Sequence, residues 1–221
     1  MKFIQTENSK CFFSADPHVG HKNICAGVTN WLKPEQWPVP YSEWRDNEAR
    51  GKFCREHGLR DFPTIEVMNE TIIERFNEKV GQDDNLFLLG DLAFGGVENI
   101  GKFMKRLVCK NVWYVTGNHD KNILFNRDGA QGHFKSCEPY KEIVVDEQFI
   151  VLCHYAMRAW NHSHKSSWML YGHNHGKLEH TPWGKSMDVG VDTNDMYPYS
   201  FEDIKEIMDK REIMESGHHR E

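Results

Sequence analysis

Five short apolar segments of this chain each run into a His, Asp or Asn residue, and this arrangement restricts the fold more than any other feature. Cys11-Phe12-Phe13 leads to Asp16-Pro17-His18, and the run 86–89 leads to Gly90-Asp91. The run 112–115 leads to Gly117-Asn118-His119-Asp120, the run 149–153 to His154, and the run 168–171 to Gly172-His173-Asn174-His175. Apolar runs of this length, bounded by glycine or polar residues, read as buried strands. In open α/β sheets, ligands bind beyond the carboxyl ends of the strands. Five strands that deliver such side chains at that end predict one shared site.

The rest of the chain fits around these strands. One domain is expected over 1–221. Residues 10–15 read as the first core strand. Residues 22–63 break the pattern, with Trp31, Trp37 and Trp44 and Pro34, Pro38, Pro40 and Pro63 among many charges. They read as an irregular insertion with at most short helices, around 43–57: a candidate lid or pocket wall, or a packed surface loop. Thr64 is placed to cap a helix in which Ile65, Met68, Ile72, Ile73, Phe76 and Val80 recur at helical spacing, with Gly81 closing it. The strand at 86–89, an amphipathic helix over 97–107 and the strand at 112–115 follow the order of a parallel crossover. A short helix and loop are expected over 121–136, a β-hairpin from 143–145 to 149–153, and a polar loop over 155–167. Strands follow at 168–171 and, as the last, 186–191. Beyond Pro198, Ser200 caps a final helix with Phe201, Ile204, Ile207 and Met208 inward. The tail from Ser216 is expected to fray.

The formal charge is −6 and no lysine or arginine block occurs. This argues against a chain that works on nucleic-acid backbones or anionic membranes. A small phosphorylated substrate stays compatible, because bound metal ions make a pocket locally positive. The six cysteines form no Cys-x-x-Cys pair, so buried free thiols in a reducing compartment are expected. The amino terminus turns polar too early for a signal peptide, and no apolar run reaches the ~18 residues of a membrane span. These features predict a cytoplasmic protein. The sequence leaves the oligomeric state open.

Asp16, His18, Asp91, Asn118, His154, His173 and His175 offer oxygen and imidazole nitrogen, with no thiolate. The mixture suits Mn²⁺, Fe, Zn²⁺, Ni²⁺ or Co²⁺ better than Mg²⁺, because histidines dominate. Seven ligands exceed what one catalytic ion takes while keeping a position open. Two divalent ions sharing a carboxylate fit better, and ions ~3.5–4 Å apart can clamp a phosphoryl oxygen during in-line displacement.

In this order, Asp16-x-His18, Gly90-Asp91, Gly117-Asn118-His119-Asp120, His154 and Gly172-His173-x-His175 resemble the motif blocks of the calcineurin-like metallophosphoesterase superfamily. The blocks span 16–175, most of the chain. The resemblance implies an α/β fold, a four-layer α/β/β/α sandwich with mixed sheets, and a site for two divalent metal ions, Mn²⁺ foremost. It implies that Asp16, His18 and His175 hold the first ion, that Asn118, His154 and His173 hold the second, and that Asp91 bridges them. His119 would be the general acid that protonates the leaving oxygen, with Asp120 orienting its imidazole or tuning its pKa. Histidine titrates near the working pH, which suits that task.

Two departures narrow the substrate. Asp91-Leu92-Ala93-Phe94-Gly95-Gly96 stands where the superfamily's protein phosphatases carry Asp-Arg-Gly, and Asp120 stands where they carry Glu. Both argue against a protein phosphatase. The superfamily's nucleases carry an added capping domain and nucleic-acid contacts, whereas this acidic chain looks more like the small single-domain bacterial and phage members. The expected activity is hydrolysis of a small phosphodiester or nucleotide by two-metal-activated hydroxide. Phosphomonoester hydrolysis, nuclease action and a non-catalytic scaffold on the same fold are the alternatives.

Five further residues are candidate substrate contacts: His21 beside the first block, and Arg158, Trp160, His162 and His164 between the fourth and fifth. Each has an ordinary structural alternative, namely a turn, a surface charge or a packed anchor. Asp192 and Asn194 follow a strand end and either line the pocket or make the turn. His57, His133, His180, His218 and His219 are expected to be solvent-exposed.

Overall fold

In the computed structural model, which describes residues 1–213, all five apolar segments are strands, shared between two sheets. The expected fraying from Ser216 and the expected exposure of His218 and His219 lie outside the described residues. The elements are β1 (Lys2–Phe3), β2 (Cys11–Ser14), α1 (Asn47–Glu56), α2 (Ile65–Lys79), β3 (Asn85–Leu89), α3 (Val97–Arg106), β4 (Asn111–Val115), α4 (Lys121–Leu124), β5 (Ser136–Glu138), β6 (Tyr140–Val145), β7 (Gln148–Cys153), β8 (Trp168–Tyr171), β9 (Ser186–Asp188), β10 (Tyr199–Ser200) and α5 (Phe201–Met208). The chain is therefore mixed α/β.

The first sheet has the order β10-β2-β3-β4-β5, with β2 to β5 parallel and β10 antiparallel to β2. The second has the order β1-β6-β7-β8-β9 and is parallel except for the β6–β7 hairpin. Asp146 and Glu147 turn that hairpin, both with positive φ, as a tight turn matched to strand twist requires.

Alternation along the strands divides the interior. Phe12, Leu86, Leu88, Val112 and Tyr114 face α2 and α3, where Met68, Ile72, Phe76, Ile100 and Phe103 cover them. Cys11, Phe13, Phe87, Leu89 and Val115 face the other way and pack on Ile143, Val145, Ile150, Leu152 and Leu170 of the second sheet. The outer face of the second sheet carries a smaller cluster, in which Met157 and Trp160 of the 155–167 segment cover Val151, Cys153, Met169 and Tyr171.

Local chemistry explains most boundaries. Thr64 accepts the Val67 N–H and caps α2. The helix ends one residue earlier than Gly81 suggests: Val80 is extended and buried, and Asp84 takes the Gly81 N–H at 2.7 Å, so no left-handed glycine is needed. Ser200 and Asp203 cap α5 reciprocally. The insertion holds α1 and three short 3₁₀ turns. Its two ends are paired: Arg60 N–H donates to Ile24 at 2.6 Å, and Ala26 N–H donates back to Arg60 at 2.9 Å. All six cysteines are free thiols, five of them buried. No helix among the described residues is long and apolar enough to cross a membrane.

Candidate metal centre

The carboxyl ends of β2, β3 and β4 meet those of β7, β8 and β9 across the gap between the sheets. The loops beyond these ends are hydrogen-bonded to one another. Ala15 pairs with Val189 and Val191, Asp16 N–H donates to Gly90 at 3.1 Å, and Gly172 N–H donates to His154 at 3.0 Å. Such close approach excludes side chains at the glycine positions. A Cβ on Gly117 would lie 2.3 Å from Asp91 Oδ1, and one on Gly172 would lie 2.4 Å from Asp16 Oδ2. The glycines of these motifs are thus a packing requirement of the site.

All seven expected ligands come together. The donor atoms of Asp16, His18 and His175 lie within 4.8 Å of one another, and so do those of Asp91, His154 and His173. Asn118 Oδ1 is 2.9 Å from His154 Nε2, which joins it to the second group. Asp91 stands between the groups: its Oδ2 is 3.7 Å from His18 Nε2, 3.5 Å from His154 Nε2 and 4.0 Å from His119 Nε2.

The donors fit a cation by a direct criterion. Asp16 Oδ1 and both ring nitrogens of His18 are buried without a hydrogen-bond partner, which is costly for a polar group unless something else satisfies it. His154 Nδ1–H donates to the Leu89 carbonyl at 2.8 Å, so Nε2 faces the oxygens of Asn118 and Asp91. Acceptors gathered in this way are favourable only around a cation or a shared proton. His175 Nδ1–H donates to Asp192 Oδ2 at 2.6 Å and is oriented likewise.

Electrostatics matches this crowding. Burial pushes the Asp16 carboxyl up to about 6 against the pull of His175 and His154. Burial works to raise Asp91, but His154 and the His119 N–H hold it below the usual carboxylate range. Burial works to lower His154, but Asp91 and Asp16 outweigh it and raise the imidazole to about 9. Burial keeps His18 well below an ordinary histidine. Asp192 is held far down, because Arg60 and His175 outweigh its burial.

The other expected site residues divide. His119 lies at the β4 end with its side chain about half exposed (48%), its backbone N–H donating to Asp91 Oδ1 at 2.9 Å. Asp120 does not orient it. The Asp120 carboxylate is buried and accepts from Asp91 N–H (2.8 Å), Leu92 N–H (3.1 Å), Gly117 N–H (2.6 Å) and Tyr114 Oη (2.7 Å). It therefore clamps the turn that carries Asp91.

A cavity of about 1160 Å³ opens beside the first donor group, lined by His18, His175 and His119, by Arg60 and Asp192, and by Trp31 and Arg55 of the insertion. His21 lines it too, stacked on Phe94 with ring centres 3.9 Å apart. Arg158, Trp160, His162 and His164 are not among its lining residues. Arg158 lies over the Trp183 ring, and Trp160 is buried with Nε1–H on Ser167. His162 starts a short turn with its ring against Phe149, and His164 is within that turn. Their loop covers the outer face of the second sheet, which their sequence position between two ligand blocks does not reveal.

Asp192 lines the cavity, one of its two expected placements, and also supports His175, a role its position does not reveal; Arg60 grips Asp192 through Nε and Nη2 at 2.8 Å each. Arg60 belongs to no motif and is one of four arginines in the insertion, with Arg45, Arg50 and Arg55, so nothing in the sequence singles it out.

Comparison with known proteins adds the fold. A solved structure from Aquifex aeolicus, described as the protein of unknown function AQ665, superposes with a TM-score of 0.58 over 90% of this chain and 100% of its own, at 17% identity. That likeness shows a shared fold. An uncharacterized protein of Methanocaldococcus jannaschii, MJ1445, is 24% identical over 169 residues, covering 74% of this chain and 85% of its own. No family model matches the chain.

Proposed function

We propose that the protein is a metal-dependent phosphohydrolase of the calcineurin-like metallophosphoesterase type, acting on a small phosphodiester or nucleotide. The observation that carries this reading is the pair of donor groups meeting at Asp91, with His119 Nε2 4.0 Å from its free oxygen. Asp16, His18 and His175 would hold one divalent cation and Asn118, His154 and His173 the other, with Asp91 shared. Mn²⁺ suits the donors best, and Fe, Zn²⁺, Ni²⁺ or Co²⁺ also match them. Such ions supply positive charge against phosphoryl oxygens and make water a stronger nucleophile.

The protein's own residues do the rest. Asp120 fixes the backbone at Asp91, and the Leu89 carbonyl and Asp192 fix the His154 and His175 rings. The half-exposed His119 can hold a proton at Nε2 toward a leaving oxygen bound in the cavity. The stacked sheets, with α2 and α3 against the first, correspond to three layers of the expected α/β/β/α sandwich. Buried free thiols suit the reducing cytoplasm.

The test is a metal-reconstituted assay. With Mn²⁺, hydrolysis of bis-(p-nitrophenyl) phosphate is expected to exceed that of the mono-substituted ester. The His119→Ala variant is expected to lose about 10²–10⁴-fold on a diester with an alkoxide leaving group and far less on the nitrophenyl ester, whose leaving group needs no proton. An equal loss on both esters removes the acid role. Absence of metal-stimulated hydrolysis on any phosphoester overturns the reading.

A further inference from the structure

The root of the insertion sends one side chain beneath the first donor group. Arg60 is 4% exposed. Its Nε and Nη2 donate to the two oxygens of Asp192 at 2.8 Å each, a planar fork on a carboxylate. Its Nη1 donates to the Pro17 carbonyl at 2.7 Å, and Nη2 also donates to the Asp16 carbonyl at 2.6 Å. The peptide units it holds lie between Asp16 and His18, whose φ angles are 55° and 51°. Non-glycine residues occupy that region only when their surroundings enforce it. Asp192 in turn accepts His175 Nδ1–H at 2.6 Å, which leaves Nε2 as the ligating nitrogen. All three members of the first donor group are thus set by one guanidinium, two directly through backbone and one through Asp192. The second group has other supports, the Leu89 carbonyl at His154 and Asp120 behind Asp91.

We propose that Arg60 and Asp192 are positioning residues of the first cation site, so that the root of the 22–63 insertion is a working part of that site and of it alone. The proposal rests on the metal-binding reading above. It explains why an arginine of an irregular segment is buried with its guanidinium spent on two backbone carbonyls and a carboxylate, although it borders the cavity. Lysine cannot replace it, because one ammonium does not span a carboxylate fork and two carbonyls together.

The test is calorimetric titration of the whole protein, freed of metal, with Mn²⁺ and with Co²⁺, the latter also followed by its visible absorption. The wild type is expected to bind two ions. In Arg60→Gln and in Asp192→Ala, one binding event weakens by about 10–100-fold and the other is unchanged. In a His175→Ala background, where the second event remains, Arg60→Gln leaves that event unchanged, whereas in a His173→Ala background it weakens the event that remains. Arg60→Lys does not restore the affinity. If Arg60→Gln does not fold, Asp192→Ala and its combinations with the same two histidine variants decide the matter. Unchanged binding in these variants, or equal weakening of both events, overturns the proposal while leaving the metal reading intact. A wild type that binds no ion defeats that reading first, and this one with it.

Discussion

His119 and Asp120 are adjacent in sequence and sit in opposite surroundings. The imidazole faces the cavity half exposed, while the carboxylate is buried under four donors. Replacing Asp120 with Asn turns one acceptor oxygen into a donor that faces a backbone N–H or the Tyr114 hydroxyl. The expected result is a loss of about 1–3 kcal/mol of stability from unsatisfied buried groups, read as a lower melting temperature. Weaker cation binding should accompany it, since the Asp91 turn loses its clamp. His119→Ala should leave the melting temperature near that of wild type. Equal melting of Asp120→Asn and wild type would remove the clamp from the account. At this scale the sequence reveals which residue types gather. It does not reveal where a side chain points once the backbone has turned, and the Asp120 direction and the Arg60 fork are set by such turns.

Among elements, legibility followed length and burial. β3, β4, β7 and β8 bury most of their positions and expose none, and read clearly as apolar runs. β5 and β10 have three and two residues, too few to show a period, and were not expected. β9 stops at Asp188, because Gly190 opens a 3₁₀ turn at Val191–Thr193 that delivers Asp192 to His175. For the 155–167 segment the sequence offers two readings, substrate contact and packed anchor, and Trp160 is the anchor. Tryptophan and histidine between two ligand blocks suggest a pocket, yet alternation on β7 and β8 leaves an apolar outer face that needs cover. Trp160 provides it. Trp160→Ala should therefore destabilise the protein by about 3–5 kcal/mol, as large-to-small core changes do, without altering Mn²⁺ affinity. Denaturant unfolding beside a metal titration checks both parts. A stable variant with impaired binding would return Trp160 to the site.

For the whole molecule, the cluster links folding to pH. In the metal-free protein His154 is raised to about 9, whereas an unfolded histidine titrates near 6.5. Between these values the native state holds a proton that the unfolded chain has lost, so stability falls as pH rises from about 7 to 9. His154 is fully buried, and at 1.36 kcal/mol per pKa unit its share is up to about 3 kcal/mol. His18, lowered by burial, acts in the opposite sense only below the unfolded histidine value. The thiols of Cys11, Cys25, Cys54, Cys109 and Cys137, all raised by burial, add a fall in the same direction once pH nears the ordinary thiol value of about 8.5. From about pH 7 to 8 the slope therefore belongs mainly to His154, with His175, raised by Asp192, adding in the same direction, and above that the thiols take over. A cation at the second site would take the place of the His154 proton, so saturating Mn²⁺ should raise the melting temperature more at pH 8.5 than at pH 6.5. Thermal melts of metal-free and Mn²⁺-loaded protein at both pH values measure this directly. His154→Asn should flatten the metal-free profile between pH 7 and 8. A wild-type profile already flat there would mean that no proton is held among Asp91, Asn118 and Asp16, and the electrostatic case for a cation in its place would fail.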